Sequence, residues 1–169
     1  ASRNGHTEIF NLLLQDSRVD PSDRDNYAII FAFSSGHMEI VKLLMKDARV
    51  DPSARNNYLI QWASRNGLLE TAKFLLKDER VDPSADYNLA IQKAARNGHT
   101  DIIKLLLQDS RVDPSARNNL AIREASTNGH TEIVKLLLDD SRVDPSVEYN
   151  FAIRRASRYG HTDTVKLLL

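Results

Sequence analysis

The chain contains no cysteine and no long apolar run. Without cysteine, its 169 residues cannot form disulfides or thiolate metal sites, which suits a reducing compartment. No apolar stretch approaches the ~20 residues that a membrane-spanning helix needs, and no signal-peptide pattern opens the chain. We therefore expect an intracellular, cytoplasmic protein without a membrane segment.

The chain also has no excess of positive or negative charge. The 23 basic and 23 acidic side chains cancel, so the chain as a whole does not attract nucleic acid or an anionic membrane. An apolar fraction of 41% is high enough for a continuous core. The composition favours a folded protein whose main partner is neither nucleic acid nor a membrane.

Glycine and proline are scarce, and their positions reveal an internal repeat. The string Val-Asp-Pro-Ser recurs every 31 residues, beginning at Val19, Val50, Val81, Val112 and Val143. The same step separates all six glycines, from Gly5 to Gly160, and five asparagines, from Asn26 to Asn150. Because Gly and Pro interrupt regular structure, every repeat is divided at the same points.

The sequence pattern of each repeat predicts two short helices. The first runs from the recurrent Asn to the Gly, as in Asn119 to Gly129, since Asn is a favoured helix N-cap and Gly often follows a helix. The second follows at once, as in residues 130–140, where apolar residues recur at helical spacing. So small a pair cannot bury its own apolar face, so neighbouring pairs must stack. The asparagines expected to start the first helices are Asn26, Asn57, Asn88, Asn119 and Asn150.

The repeat boundaries predict a single array over residues 1–169. Its parts are a partial repeat (1–18), four full repeats (19–49, 50–80, 81–111 and 112–142) and a truncated repeat (143–169). The chain begins inside a first helix and stops in the apolar part of a second helix, without polar capping repeats. We therefore expect a fragment of a longer array.

The sequence of residues 128–138, Asn-Gly-His-Thr-Glu-Ile-Val-Lys-Leu-Leu-Leu, resembles the second-helix signature of ankyrin repeats. Ala125 and Ser126 resemble that family's Ala-Ala pair, and the resemblance covers the whole chain. It implies an all-α, ankyrin-like solenoid of helix-turn-helix repeats that recognises proteins, without catalysis or a cofactor. The chain departs from the family in its shorter period and shorter connector, so we expect loops with little or no β-structure.

A recurrent histidine invites a metal-site interpretation that its spacing does not support. It occupies one position of the repeat, at His6, His37, His99, His130 and His161, with Leu68 in the remaining repeat. Stacked helices lie about 8–10 Å apart, too far for equivalent histidines to share a zinc ion whose nitrogen ligands sit ~2 Å away. We expect these histidines to be structural, each bonding across the turn between its two helices.

The pattern Asp-x-Arg-Val-Asp places an arginine between two carboxylates in every connector. Paired carboxylates could serve acid-base catalysis or calcium binding, but five similar copies favour a brace in which Arg bonds carboxylates and helix-end carbonyls of neighbouring loops. The arginines are Arg18, Arg49, Arg80, Arg111 and Arg142. No phosphate loop, catalytic triad or helical zinc motif occurs elsewhere, so the sequence predicts no enzyme and no cofactor.

Function is expected where the repeats differ, because a position shared by all of them serves the scaffold. In the ankyrin-like arrangement, two variable positions of each first helix would face the concave groove. The first of these positions carries Phe31, Trp62, Lys93, Glu124 and Arg155, and the second supplies Arg65, Arg96 and Arg158. These eight residues form the predicted partner-binding stripe, which changes from aromatic to charged along the chain.

The favoured hypothesis is that this stripe binds a protein or peptide. Phe31 and Trp62 would be the anchors, because exposed aromatic residues often dominate interfaces, and the Arg-rich end would take an acidic segment. The first helix around residues 27–33 is apolar nearly all round, so these aromatic rings could instead be packed between repeats.

Two other hypotheses remain open. The array could be a passive spacer within a larger multidomain protein, which would have no need of a graded stripe. It could also bind nucleic acid, with an affinity that falls steeply with salt. The residues for that third function would be Arg123, Arg154, Arg155 and Arg158.

Overall fold

The computed structural model describes residues 6–169, and in this part of the chain it consists of helices without a β-strand. The first helices of the repeats are α2 (Asp23–Ser34), α4 (Ala54–Arg65), α6 (Ala85–Asn97), α8 (Ala116–Thr127) and α10 (Val147–Arg158). The second helices are α1 (Thr7–Gln15), α3 (Met38–Lys46), α5 (Leu69–Leu75), α7 (Thr100–Leu106), α9 (Thr131–Leu138) and α11 (Thr162–Leu168). The predicted all-α fold of paired helices is confirmed. The helix end predicted at Gly5 lies outside the described residues.

The chain forms two compact units, Ala1–Leu59 and Ile60–Leu169. In the first unit, α3 packs against α1 and α2. In the second, the first helices stack in the order α6, α8, α10, and the second helices stack in the order α5, α7, α9, α11. Each of α6, α8 and α10 also contacts the second helix of its own repeat. The second unit is therefore a stack of helix pairs in two layers.

The core of the second unit consists of aliphatic side chains at equivalent positions of successive repeats. Ile91 and Ile122 on the first helices are fully buried, as are Ile103, Leu106 and Leu137 on the second helices. Burying such a side chain stabilises a fold by about 1.5–3 kcal/mol. Because each repeat supplies apolar side chains at the same positions, one helix pair completes the core of the next.

Every first helix opens with three residues in the left-handed region, where φ lies between +52° and +63°. The segments are 24–26, 55–57, 86–88, 117–119 and 148–150. This conformation costs an L-residue roughly 1–2 kcal/mol, and Asn and Asp tolerate it best after Gly. Asn ends every one of these turns. The right-handed helix starts only after the Asn, so the predicted start is close to the observed one, but the left-handed turn before it was not predicted.

The recurrent Asn has a different role from the N-cap expected of it. Its Oδ1 accepts a hydrogen bond from the backbone N–H of an Asp in the next connector: Asn26 from Asp51 (2.8 Å), Asn88 from Asp113 (2.7 Å) and Asn119 from Asp144 (2.9 Å). An N-cap residue has extended backbone angles and bonds its own helix, which a left-handed residue does not. The Asn side chain thus joins neighbouring repeats.

The recurrent His also joins neighbouring repeats. Nε2 of His99 lies 2.9 Å from the carbonyl oxygen of Arg65, at the end of the first helix of the preceding repeat, and donates a hydrogen bond to it. His130 bonds the Arg96 carbonyl in the same way, at 3.1 Å. Within its own turn His99 uses its backbone N–H, which donates to Ala94. The side-chain bond therefore leads to the preceding repeat, and not across its own turn as expected.

This His position depends on the glycine of the preceding repeat. A Cβ atom added to Gly67 would lie 2.6 Å from Nδ1 of His99, and one added to Gly98 would lie 2.7 Å from Cε1 of His130. Both distances are too short for non-bonded atoms. These glycines also have positive φ angles of +69° and +79°, which favour Gly. The helix-ending Gly and the following His thus form one contact between two repeats.

The connector arginine donates two hydrogen bonds to a carboxylate of its own connector and one to a backbone carbonyl of the preceding connector. Nη2 and Nε of Arg111 donate to the two oxygens of Asp109 at 2.6 and 2.9 Å, and its Nη1 donates to the Val81 carbonyl at 3.0 Å. The guanidinium holds the pKa of the Asp109 carboxyl below its ordinary value. Arg49 and Arg142 bond preceding connectors in the same way. This geometry is that of the expected brace, whose effect on stability stays a prediction.

Candidate partner-binding surface

The two aromatic residues of the predicted stripe are half-buried, so they are neither core side chains nor fully exposed ones. Phe31 lies on α2 in the first unit, with its ring centroid 4.2 Å from that of Tyr27. Trp62 lies on α4 and belongs to the second unit. Each ring therefore packs locally while keeping part of its surface open to solvent.

The second unit brings three cations of the stripe to one cleft. Arg65 at the end of α4, together with Lys93, Arg96 and Asn97 of α6, lines a cleft of about 340 Å³. Nζ of Lys93 donates to Oε1 of Gln61 at 3.4 Å. We call this cleft, defined by Arg65, Lys93, Arg96 and Asn97, the cationic cleft.

Burial and like charge both act on Lys93. Partial burial, followed by the positive charge of Arg65, lowers the pKa of the Lys93 ammonium, and the more weakly felt carboxylate of Asp86 opposes this. Asp86 is itself paired with Arg117 at 3.1 Å. The positive charge of the cationic cleft is thus only weakly compensated within the second unit.

A second cleft, of about 240 Å³, lies farther along the stripe. Arg96, Glu124 and Arg155 of the stripe line it, together with Arg123 and Phe151. Nε of Arg96 lies 3.8 Å from the Glu124 carboxylate, a long ion pair. Glu124 therefore separates the cationic cleft from the arginines that follow.

Those later arginines are held by aromatic rings. The guanidinium of Arg155 lies 5.5 Å from the ring centre of Phe151 and 4.9 Å from that of Tyr159, and Arg123 lies over Phe151 at 4.4 Å. Phe151, Arg155 and Tyr159 are spaced four residues apart, which places them on one helix face. That spacing was visible in the sequence, but these contacts were not predicted. Arg158, at the end of α10, is exposed and lines neither cleft.

Comparison with known proteins identifies the repeat. A family model described as ankyrin repeats in three copies matches residues 1–88, 60–149 and 91–169. The chain belongs to the ankyrin-repeat family. No curated protein matches it. Among solved structures, it is similar to an ankyrin repeat domain from Acinetobacter baumannii AYE, with a TM-score of 0.80 and 20% sequence identity over 99% of this chain and 93% of the other.

Membership of the ankyrin-repeat family bears on the class of function. Ankyrin repeats are generally protein-interaction modules, and their fold is generally not enzymatic. Among residues 6–169, no group of three or more His, Cys, Asp or Glu residues is placed to hold a metal ion. No helix in the described part of the chain is long and apolar enough to cross a membrane.

In this ankyrin-repeat chain, the residues shared by the repeats and those that vary have different surroundings. The recurrent Asn, His and connector Arg bond mainly within the scaffold. Arg65, Lys93, Arg96 and Glu124, which vary between repeats, instead line open clefts of the second unit. Gln61 and Phe151 contact stripe residues in these clefts and were not among the residues predicted for the stripe.

Proposed function

We propose that this ankyrin-repeat chain binds a protein or peptide along the stripe of variable first-helix residues and that it has no catalytic activity. The observation that carries the proposal is the position of Arg65, Lys93, Arg96 and Glu124, which line neighbouring clefts of the second unit. Clefts with a few convergent polar groups are typical ligand sites. The half-buried Trp62, on the same helix as Arg65, would supply an apolar anchor beside the charged groups.

In the first unit, Phe31 would be an apolar anchor of its own. A half-buried aromatic ring keeps the open surface that an interface anchor needs, while its contact with Tyr27 holds it in place.

A cytoplasmic location stays a prediction from composition.

Selection of peptides on the intact chain tests the proposal. Random twelve-residue peptides displayed on phage would be selected on the wild-type chain and then measured against Phe31→Ala, Trp62→Ala and their double variant. We expect binding to weaken about tenfold or more in the double variant, since anchor residues dominate interfaces. Lys104→Ala and Lys135→Ala, exposed positions on the second helices, serve as controls and should leave binding unchanged.

Thermal and urea unfolding of the same variants separates binding from packing. If Phe31→Ala and Trp62→Ala each lower the free energy of unfolding by about 3 kcal/mol or more, as core truncations do, the rings are scaffold and the anchor assignment is wrong. If no peptide or protein binds through the stripe, the passive-spacer hypothesis replaces the proposal.

Contacts of the arginines disfavour nucleic acid as the partner. Arg123 and Arg155 stack on Phe151. Arg154 donates to the Glu148 carbonyl at 3.1 Å, and Arg123 to the Asn118 carbonyl at 3.4 Å. Arginines bind phosphates through their N–H donors, and here one donor each of Arg123 and Arg154 bonds the protein itself.

A further inference from the structure

The cationic cleft gathers positive charge without an acidic residue in its lining. Its four lining residues are two arginines, a lysine and an asparagine. Nζ of Lys93 bonds the neutral amide oxygen of Gln61. The carboxylate nearest to Arg96 is that of Glu124 at 3.8 Å, and the Arg96 side chain remains 70% exposed. Arg65 forms no ion pair within the described residues.

Such a cluster does not stabilise the fold by itself. Positive charges held close together repel one another. The pKa of Lys93 is lowered first by burial, and the positive charge of Arg65 lowers it further. The repulsion is relieved when an anion enters, because each cation then gains an opposite charge at short range. The arrangement therefore favours a negatively charged ligand.

We propose that the cationic cleft binds acidic side chains of a peptide segment of the partner. Arg65 and Arg96 would each fork a carboxylate, which the planar guanidinium does with two parallel hydrogen bonds, and Lys93 would add a third positive charge. This inference rests on the peptide-binding function proposed above and specifies the chemistry of its partner.

The neighbourhood of the cleft favours a peptide over a nucleic acid. Glu124 lines the adjoining clefts together with Arg96. A nucleic-acid backbone carries a charge at every phosphate and would bring one toward this carboxylate. A peptide can place a basic or hydroxyl side chain there. The expected ligand thus has two or more Asp or Glu residues close to a Lys, Arg or Ser.

The test compares the content of acidic residues in peptides selected on the intact chain and on its variants. Random twelve-residue peptides displayed on phage would be selected in parallel on the wild type, on the variant Arg65→Gln/Lys93→Gln/Arg96→Gln and on the control variant Lys104→Gln/Lys135→Gln/Lys166→Gln. The control removes three exposed lysines from the second helices of the same unit. Wild type and control should both enrich Asp and Glu over the starting library, and the cleft variant should not.

An affinity measurement completes the test. A selected acidic peptide, labelled with a fluorophore, should bind the cleft variant about tenfold or more weakly than the wild type, and a peptide with Gln for Glu should lose a similar factor. The cleft variant should melt close to the wild type, because the relief of like-charge repulsion offsets the loss of the long Arg96–Glu124 pair and the Lys93–Gln61 bond. A loss of peptide binding is then not a loss of folding.

The outcomes separate this inference from the proposed function. Selected peptides that are neutral, or acidic peptides that bind the cleft variant as well as the wild type, would overturn the inference and leave peptide binding standing. Failure to select any peptide that depends on the stripe would overturn both. If a labelled twelve-base-pair DNA duplex binds the cleft more tightly than the acidic peptide at equal salt, nucleic acid replaces the peptide as the ligand.

Discussion

Asparagine at the end of each left-handed turn combines two properties that few residues share. It tolerates a positive φ angle, and its side-chain carbonyl accepts a hydrogen bond from the next connector. Aspartate could take the same backbone conformation but would carry a charge where Asn26, Asn88 and Asn119 are buried. This dual demand accounts for Asn at the turns that end in Asn26, Asn88 and Asn119.

Asn119 and Asn150 separate these two properties experimentally. Both have left-handed backbones, but Asn119 is buried and accepts from Asp144, whereas the exposed Asn150 makes no side-chain bond within the described residues. We expect Asn119→Ala to lower the free energy of unfolding by about 1 kcal/mol more than Asn150→Ala, since only the former leaves an N–H without its partner. Urea unfolding of both variants measures the difference. Equal losses would show that backbone tolerance alone selects Asn.

Gly98 and Gly160 form a similar matched pair. Their φ angles are +79° and +76°, but a Cβ on Gly98 would meet the ring of His130 and a Cβ on Gly160 would meet nothing within 4 Å. Both Ala variants should lose about 1 kcal/mol from backbone strain. Gly98→Ala should lose about 1 kcal/mol more, because His130 must give up its bond to Arg96. Melting curves that shift equally would mean that the ring adjusts freely.

At the scale of the element, the connector is held by short-range turns and by hydrogen bonds to the preceding repeat, among them that of the Asp113 N–H to Asn88. Within it, Oδ1 of Asp113 accepts from both N–H and Oγ–H of Ser115, at 2.9 and 2.6 Å, and Asp109 accepts from Arg111. These bonds shape the loop without regular secondary structure. The Arg111 bond to Val81 then fixes the loop against its neighbour.

The brace can be tested by comparing Arg111 with Arg18. Arg18 forks Asp16 at 2.6 Å and has no further partner among residues 6–169, whereas Arg111 also bonds the Val81 carbonyl. Arg111→Ala should therefore lower the free energy of unfolding by about 1–2 kcal/mol more than Arg18→Ala, the range of a charge-assisted hydrogen bond at a partly exposed site. Chemical denaturation of the two variants provides the comparison. A difference within error would remove the brace from the stabilising interactions.

At the scale of the whole molecule, the same carboxylate–arginine pair recurs in successive connectors. Acid therefore acts on the stability that each of these pairs contributes. Hydrogen bonds from Arg49, Arg80, Arg111 and Arg142 lower the pKa of Asp47, Asp78, Asp109 and Asp140 respectively. A carboxyl whose pKa is lowered by folding stabilises the fold above the pKa of the unfolded chain. That stabilisation is lost as pH falls through the lower, folded pKa.

We therefore expect the urea concentration at the unfolding midpoint to decrease as the pH is lowered from about 4, the ordinary pKa of aspartate, to about 2.5. The double variant Arg111→Ala/Arg142→Ala lacks two of the pairs and should show a shallower fall over this range. Urea titrations at several pH values measure both slopes. Parallel curves for the two proteins would indicate that other carboxyl groups cause the acid sensitivity.

How much of this structure could be predicted depends on the range of the interaction. Gly67, Gly98 and the regularly spaced Pro residues locate helix ends through local backbone preferences, so the helix pairs were predictable from spacing. The left-handed turns were not predicted. Asn and Asp in them tolerate positive φ, but these residues also favour ordinary turns and helix N-caps, and the Arg, Tyr and Glu beside them carry no signal for positive φ. The contact of His99 with Gly67 joins different repeats, and it required the stacked arrangement to be seen.

The candidate site shows the same division. Comparison of the repeats picked out Lys93 and Arg96 as variable positions, and their charge was legible from the sequence. Their gathering with Arg65 around one cleft follows from how α4 and α6 are placed, which composition does not encode. The stacking of Arg155 between Phe151 and Tyr159 was readable from helical spacing, yet it competes with the partner-binding role predicted for Arg155.

Chirality gives the left-handed turns a further meaning. A D-amino acid prefers positive φ for the same steric reason that an L-residue avoids it. Tyr149, with φ of +57° and a side chain 88% exposed, is a position where the mirror-image residue would suit the backbone better than the natural one. In a chemically synthesised chain, D-amino acids could be placed at these turns within a helical protein that otherwise consists of L-amino acids.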